Sequence, residues 1–234
     1  MESVNIENWV SQAPNPQGKS FREAVHTILL AISNSPELRP RMLFHGGLLL
    51  TLRYKGIRHT TDMDFTTTQR RDDIDEETFL GNLSQGLLEA SNLLSYGLDC
   101  RIQSHRVNPP GEERNYQTLQ ITVGYAYKGS KLHARLMRNN CSTCIDIDYS
   151  FNEFNQDIDI VQLQDGAKIE VYSLPDLVAE KYRSIIQQKA RNRSRRQDIF
   201  DIYWLFENGF LTEKDIKVKI LGSLVNYHRP CRWP

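Results

Sequence analysis

FHGGLLLTLRYKGIRHTTDMDF, residues 44–65, reads as the end of a buried strand, a glycine pair, a helix and a second strand in quick succession. The apolar run Met42-Leu43-Phe44 has the length and flanks of a buried strand, and it ends at His45, Gly46 and Gly47. LLLTLRYKG follows without a breaker and suits a helix stopping at Gly56. IRHTTDMDFTT then alternates: Met63 and Phe65 fall on one face, Asp62, Asp64 and Thr66 on the other. Two aspartates two apart on a strand project to the same side, close enough to hold metal ions between them. Alone, that pair is more often the solvated face of an edge strand. The glycine pair changes its weight, because backbone N–H groups at the start of a helix form an anion site and glycine lets a phosphate approach closely.

Working outward, Phe21, Val25, Ile28, Leu29 and Ile32 recur at helical spacing behind Ser20, predicting a helix over about 20–34 capped by that serine. The segment before it looks disordered. Residues 75–94 are helical through Phe79, Leu83, Leu87 and Leu94. LDCRIQSHRV and YQTLQITVGYAY read as strands around NPPGEERN, followed by STCIDIDYSF, DIDIVQL and KIEVY as further strands. In STCIDIDYSF, Asp146 and Asp148 share a face, so a third carboxylate can join the first two if the strands are neighbours. Three facing carboxylates repel strongly without a cation. From Ser173 the periodicity turns helical, with Asp176 three residues on as a cap signal, and continues through VAEKYRSIIQQK, QDIFDIYWLFEN and a third helix begun by Thr212 and Asp215. The fold class is therefore α+β, with a mixed, twisted sheet flanked by helices and a helical C-terminal region. The expected division is a core over 1–165 that carries the carboxylates and a mainly helical region over 166–234.

The chain has 234 residues, with 29 basic and 29 acidic side chains. A balanced charge exerts no global pull on nucleic acid, so any attraction must be local. No apolar run approaches a membrane span and the N-terminus lacks a secretory pattern, so the expectation is a cytoplasmic protein with no membrane association. Cys141 and Cys144 form a C-x-x-C with no second pair to complete a zinc site, and are read as reduced thiols at a strand edge.

Three blocks together resemble the AbiEii/AbiGii-type nucleotidyltransferases of the DNA polymerase β superfamily, which include toxins of type IV toxin–antitoxin systems. They are the opening stretch, CIDIDYSFNE, and LVAEKYRSIIQQKARNRSRRQDIFDIYWL, in the family's order. The resemblance implies a polymerase β-like core. It assigns Gly46, Gly47, Arg58, Thr60 and Lys181 to the nucleotide, and Asp62, Asp64 and Asp148 to the metal and the chemistry, Lys181 sharing in catalysis. The family often has a lysine where this chain has Asp146, which leaves Asp146 open as an alternative ligand. Asp198 and Asp201 match a family Asp-x-x-Asp, although pairing with Arg195 or Arg196 accounts for them equally well. Arg193 lies in KARNRSRR, a solvated loop or a contact for transfer RNA phosphates. His45 and His59 read as packed or hydrogen-bonding loop residues; Tyr203, Trp204 and Phe206 suit helix packing.

The implied activity is transfer of NMP from an NTP to an acceptor hydroxyl, with two Mg2+ ions, or Mn2+ in their place. The implied acceptor is RNA, a transfer RNA 3′ end, in a growth-inhibiting toxin of a toxin–antitoxin or phage-defence system, with a cognate antitoxin encoded nearby. The rival readings are an enzyme modifying a protein or small molecule, as antibiotic nucleotidyltransferases do, and a nucleotide-binding partner without turnover.

Overall fold

A computed structural model describes residues 2–111, 117–153, 157–163, 166–189, 192 and 194–212. Its centre is one sheet built from β1 (Glu2–Val4), β2 (Leu43–His45), β3 (Met63–Thr66), β4 (Leu98–Asn108), β5 (Thr118–Tyr127), β6 (Cys144–Ser150), β7 (Ile158–Leu163) and β8 (Lys168–Tyr172). The strand order is β1-β7-β8-β2-β3-β6-β5-β4. Pairing is mixed: β3 runs parallel to β6 and β2 to β8, while β2 and β3, β4 and β5, β5 and β6, and β7 and β8 are antiparallel. The sheet is continuous across residue 165, since β8 lies between β7 and β2.

The helices are α1 (Ile6–Ser11), α2 (Pro16–Asn34), α3 (Gly46–Tyr54), α4 (Glu76–Leu93), α5 (Lys131–Leu136), α6 (Leu174–Gln187) and α7 (Arg196–Glu207). The start of the chain is thus ordered into β1 and α1. α2 begins a turn earlier than its apolar stripe indicates: Asn15 accepts from the Gly18 amide at 2.7 Å with Pro16 behind it, a pairing that starts a helix more strongly than Ser20. The Ser20 hydroxyl instead donates within the helix to the Gln17 carbonyl.

Alternation sorts the sheet into two faces. On β6, Ile145, Ile147 and Tyr149 are fully buried, and Tyr149 stacks on Phe79 of α4, with ring centroids 4.9 Å apart. α2 is buried along Glu23–Ser33 between the sheet and α4, where Gly86 lies so near the Ala31 carbonyl that a Cβ would sit 3.0 Å from it. The opposite face of β3, β5 and β6 carries Asp64, Asp146, Asp148, Gln120 and Thr122. α6 starts at Ser173, whose hydroxyl accepts from the Asp176 amide at 3.3 Å. Cys100, Cys141 and Cys144 are free thiols, with Cys144 opening β6. Tyr203 and Phe206 are exposed on α7, so packing within the described residues does not account for them. The third C-terminal helix expected after Thr212 lies outside the described residues. No described helix is long and apolar enough to cross a membrane.

Candidate active site

β2 ends at His45 and α3 begins at Gly46, whose φ of +78° is a conformation that glycine adopts without a Cβ penalty. The tight turn sets the helix start beside β3. The register then places His45 opposite Asp64 and Asp64 opposite Asp148. Gln120 is opposite Asp148 and Arg106 opposite Gln120, so the row crosses five strands. Residues opposed in this way share a face.

Gly46 and Asp64 occupy almost the same space. A Cβ on Gly46 would lie 1.8 Å from the Asp64 Oδ2, so the glycine is the condition for that carboxylate's position. Burial raises the Asp64 carboxyl; the nearby His45 charge pulls it back, and the charges of Glu180, Asp62 and Asp148 push it up again, to about 6. Asp62 stands just before β3 on an exposed strap over residues 55–62, which alternation alone would have extended into the strand. Its Oδ1 accepts from the Thr60 hydroxyl at 2.8 Å and the Thr61 amide at 3.3 Å.

Asp148 and Asp146 differ in their surroundings. Asp148 Oδ1 accepts from Gln120 Nε2 at 3.0 Å, and Arg106 Nε donates to Gln120 Oε1 at 2.9 Å, so the amide is oriented at both ends. Asp146 lies two residues nearer the start of β6, is exposed, and accepts from the Thr122 hydroxyl at 2.8 Å. Neither Gln120 nor Arg106 stood out in the sequence, although the alternation of β5 and β4 places both on the polar face.

The imidazole of His45 joins α6 to this row. Its Nδ1 lies 3.0 Å from Glu180 Oε2, and its ring stacks on Tyr172 with centroids 4.6 Å apart. Burial opposes charge on both partners, yet each stabilises the other's charged form. Glu180, by charge and hydrogen bond, raises His45 with help from Asp64 and Glu153; His45, with Lys181 and Arg183, holds Glu180 below the usual carboxylate range. The pairing thus favours an imidazolium beside a carboxylate. His45 Nε2 is buried without a hydrogen-bond partner among the described residues. The sequence offered no sign of this role, because the partners are 135 positions apart.

Lys181 is 5 % exposed, and its Nζ lies 2.8 Å from Asp201 Oδ2 and 3.3 Å from Asp198 Oδ1. Asp201 also accepts from Arg58 Nε and a terminal nitrogen at 3.0 and 3.2 Å. One carboxylate therefore holds both cations, and Arg195, an expected partner, pairs with Asp198 at 3.9 Å. Arg58 lies against Gly47: a Cβ there would meet its guanidinium at 2.3 Å and the Thr60 hydroxyl at 3.4 Å. Arg191 and Arg193, in the basic run, lie outside the described residues. A cleft of about 1160 Å³ lies between α1, the start of α2 and the strap; Arg58, Thr60 and Thr61 line it, but Asp62, Asp64, Asp146 and Asp148 do not.

Among the described residues no group of three or more His, Cys, Asp or Glu side chains is placed to hold a metal ion. A divalent cation of the magnesium type needs none, since it takes one or two carboxylates and completes its shell with water and phosphate oxygen. Asp64 and Asp148 suit such an ion: both offer hard oxygen, and a cation would favour the charged form of Asp64, which burial first, and then the charges of Glu180, Asp62 and Asp148, disfavour.

The sequence profile described as nucleotidyl transferase AbiEii toxin, type IV TA system, matches residues 27–230. Among solved structures the chain is similar to JHP933 from Helicobacter pylori, with a TM-score of 0.55 and 14% identity, covering 91% of this chain and 75% of that one. It is also similar to a candidate nucleotidyltransferase from H. pylori, with a TM-score of 0.53 and 13% identity, covering 91% and 77%. MenT4, a nucleotidyltransferase toxin from Mycobacterium tuberculosis, aligns with a TM-score of 0.40 and 16% identity over 75% of this chain and 57% of its own. A search of curated proteins returned no match. A profile covering most of the chain, laid over a mixed sheet with a glycine turn beside aligned carboxylates, places the chain in the AbiEii nucleotidyltransferase toxin family of type IV toxin–antitoxin systems.

Proposed function

We propose that this nucleotidyltransferase toxin transfers NMP from an NTP to a hydroxyl of an RNA acceptor, a transfer RNA 3′ end, and thereby arrests growth until a cognate antitoxin opposes it. The observation that carries the reading is the alignment of Asp64 with Asp148 beside the Gly46 turn. Asp62, Asp64 and Asp148 are the residues that would hold Mg2+, two ions, with Mn2+ as a substitute; Asp146, paired to Thr122, is the weaker candidate. When bound, Mg2+ supplies positive charge to the phosphates and lowers the pKa of the attacking hydroxyl.

The chain's own residues supply position and charge. The start of α3 at Gly46 and Gly47 offers amide N–H groups to the triphosphate, and the missing Cβ atoms make room beside them for Asp64 and Arg58. Arg58 and Lys181 offer the cations, and Asp201 keeps both in place before substrate arrives. Thr60 fixes Asp62, and Gln120 fixes Asp148. The acceptor oxygen bonds to the α-phosphorus as the bond to pyrophosphate breaks, a displacement that needs alignment and charge neutralisation and no covalent intermediate. On this reading residues 1–165 carry the metal carboxylates, and residues 166–234 complete the nucleotide site through Glu180, Lys181, Asp198 and Asp201.

The test is incubation of the protein with each labelled NTP, Mg2+ and a whole-cell extract, resolved by size, beside Asp64→Asn. The expected result is label on a small RNA that the variant does not produce. Label on protein or a small molecule alone would replace the RNA acceptor, and tight NTP binding with no pyrophosphate release would remove turnover.

A further inference from the structure

We propose that the segment around α5 is the surface that grips the phosphate backbone of the acceptor RNA, a deepening that rests on the RNA-acceptor reading above. The sequence from residue 115 to 145 contains no Asp or Glu, yet Lys128, Lys131, Arg135 and Arg138 fall within it. In a chain of zero net charge this is a local concentration of positive potential.

Its place in the fold gives it a target. A Cβ at Gly124 would sit 2.8 Å from Leu136 Cδ1, so α5 rests on the face to which position 124 of β5 points. By alternation that is the face of Thr122 and Gln120, which lie opposite Asp146 and Asp148. The Gln103 side chain ties the segment down, donating to the Leu136 carbonyl at 3.3 Å and accepting from the Cys141 amide at 3.1 Å. Gly124 and Gln120 are four residues apart on one strand, so the point where Leu136 of α5 packs on β5 is about 13 Å along the strand from the residue opposite Asp148. Lys131, Arg135 and Arg138 are exposed and have no acidic partner among the described residues. His133 and Arg101 by contrast converge on Asp99, at 3.0 and 2.9 Å, which anchors the patch without neutralising those three. Unpaired cations on the carboxylate face, just beyond the reacting centre, match a polyphosphate chain whose end lies at Asp148. An acidic protein partner would be drawn to the same charge, but nothing in it requires the carboxylates to be close by.

The experiment measures binding of fluorescently labelled transfer RNA to the full chain across a salt series. It compares Lys131→Glu/Arg135→Glu/Arg138→Glu with a control of equal charge change at other exposed sites, Arg39→Glu/Arg70→Glu/Lys168→Glu. The α5 variant should lose at least about tenfold in affinity, and the slope of log K against log salt should shrink by about two, as expected for three lost phosphate contacts. ATP-induced thermal stabilisation should be unchanged, and the control should bind nearly as the parent does. If charge reversal prevents folding, the Gln triple variant at the same positions should show the same loss of slope. Equal binding by the α5 variant and the control overturns the proposal, as does failure of the parent to bind transfer RNA, which would leave the patch to an acidic protein. A parent that binds through α5 but adds no nucleotide supports the patch and refutes the acceptor reading.

Discussion

Substituting Gly46 by alanine isolates the geometry on which the site depends. The new Cβ would lie 1.8 Å from Asp64 Oδ2, well inside an ordinary carbon–oxygen contact, and the backbone there has a φ of +78°. The left-handed backbone costs about 1–2 kcal/mol for a residue with a Cβ, which lowers stability without abolishing the fold. The overlap cannot be relieved by a rotation of the methyl, so Asp64 must move by more than about 1 Å. A displacement of that size in a reacting site costs on the order of 100-fold. Gly46→Ala should therefore remain folded, with a thermal midpoint a few degrees below the parent, while nucleotide transfer measured by pyrophosphate release falls at least about 100-fold. Gly81→Ala is the counterpart: it lies in α4 with nothing within 4 Å of its would-be Cβ, and should gain roughly 0.4–1 kcal/mol with activity unchanged. Transfer by Gly46→Ala within a few-fold of the parent would refute the claim that this glycine sets the position of Asp64.

Because the Asp64 carboxyl is raised to about 6, the folded chain binds that proton more tightly than the unfolded one. Asp64's contribution to stability is thus greatest below about pH 4 and is lost as pH rises through 6, by at most roughly 3 kcal/mol. In chelator, Asp64→Asn should match the parent at acid pH and exceed it at pH 7, and Mg2+ should restore the parent alone; parallel pH curves would contradict this. Glu180→Ala leaves the His45 charge unpaired, and since the Glu180 side chain is 26% exposed the loss should be roughly 2–3 kcal/mol in chemical denaturation. A double-mutant cycle with His45→Ala that returns no coupling would dispose of the ion pair. Gln120→Leu frees Asp148 from its donor and should weaken Mn2+ binding, followed by electron paramagnetic resonance, about 10- to 100-fold with little change in thermal midpoint. Unchanged Mn2+ affinity would show that Gln120 does not orient Asp148.

The order of elements from Phe44 to Phe65 was legible because a buried strand, a glycine pair and a polar-apolar alternation are local signals. Their limits were not. Alternation from Ile57 carries no information about hydrogen-bond partners, and only Met63–Thr66 find strands on both sides. α5 is six residues long, too short for a helical period to stand out between two strands. The cap of α2 was misplaced because Ser20 adjoins the apolar stripe, whereas the stronger Asn15-Pro16 start lies a turn ahead of it. Whether Asp148 or Asp146 faces Asp64 is a matter of register between strands more than 80 residues apart, which alternation leaves undetermined. The His45–Glu180 and Arg58–Asp201 pairs lie 135 and 143 positions apart and exist only once α6 and α7 pack beside β2 and the strap.

Those long-range pairs tie the carboxylates to the helices. Asp64 lies opposite the imidazolium of His45, and that charge depends on Glu180 from α6. Glu180 is followed directly by Lys181, which Asp198 and Asp201 of α7 hold, and Asp201 reaches back to Arg58 on the strap that leads into Asp62. A path of alternating charge thus runs from β3 through α6 and α7 and returns to the residues just ahead of β3. Each cation in it has a carboxylate neighbour, and Asp64 has the His45 charge beside it, whereas Asp62 and Asp148 accept from neutral donors, the Thr60 hydroxyl and the Gln120 amide. The uncompensated negative charge is concentrated where a cation and a nucleotide would bring the missing positive charge, and the rest of the network fixes the geometry in which they would meet it.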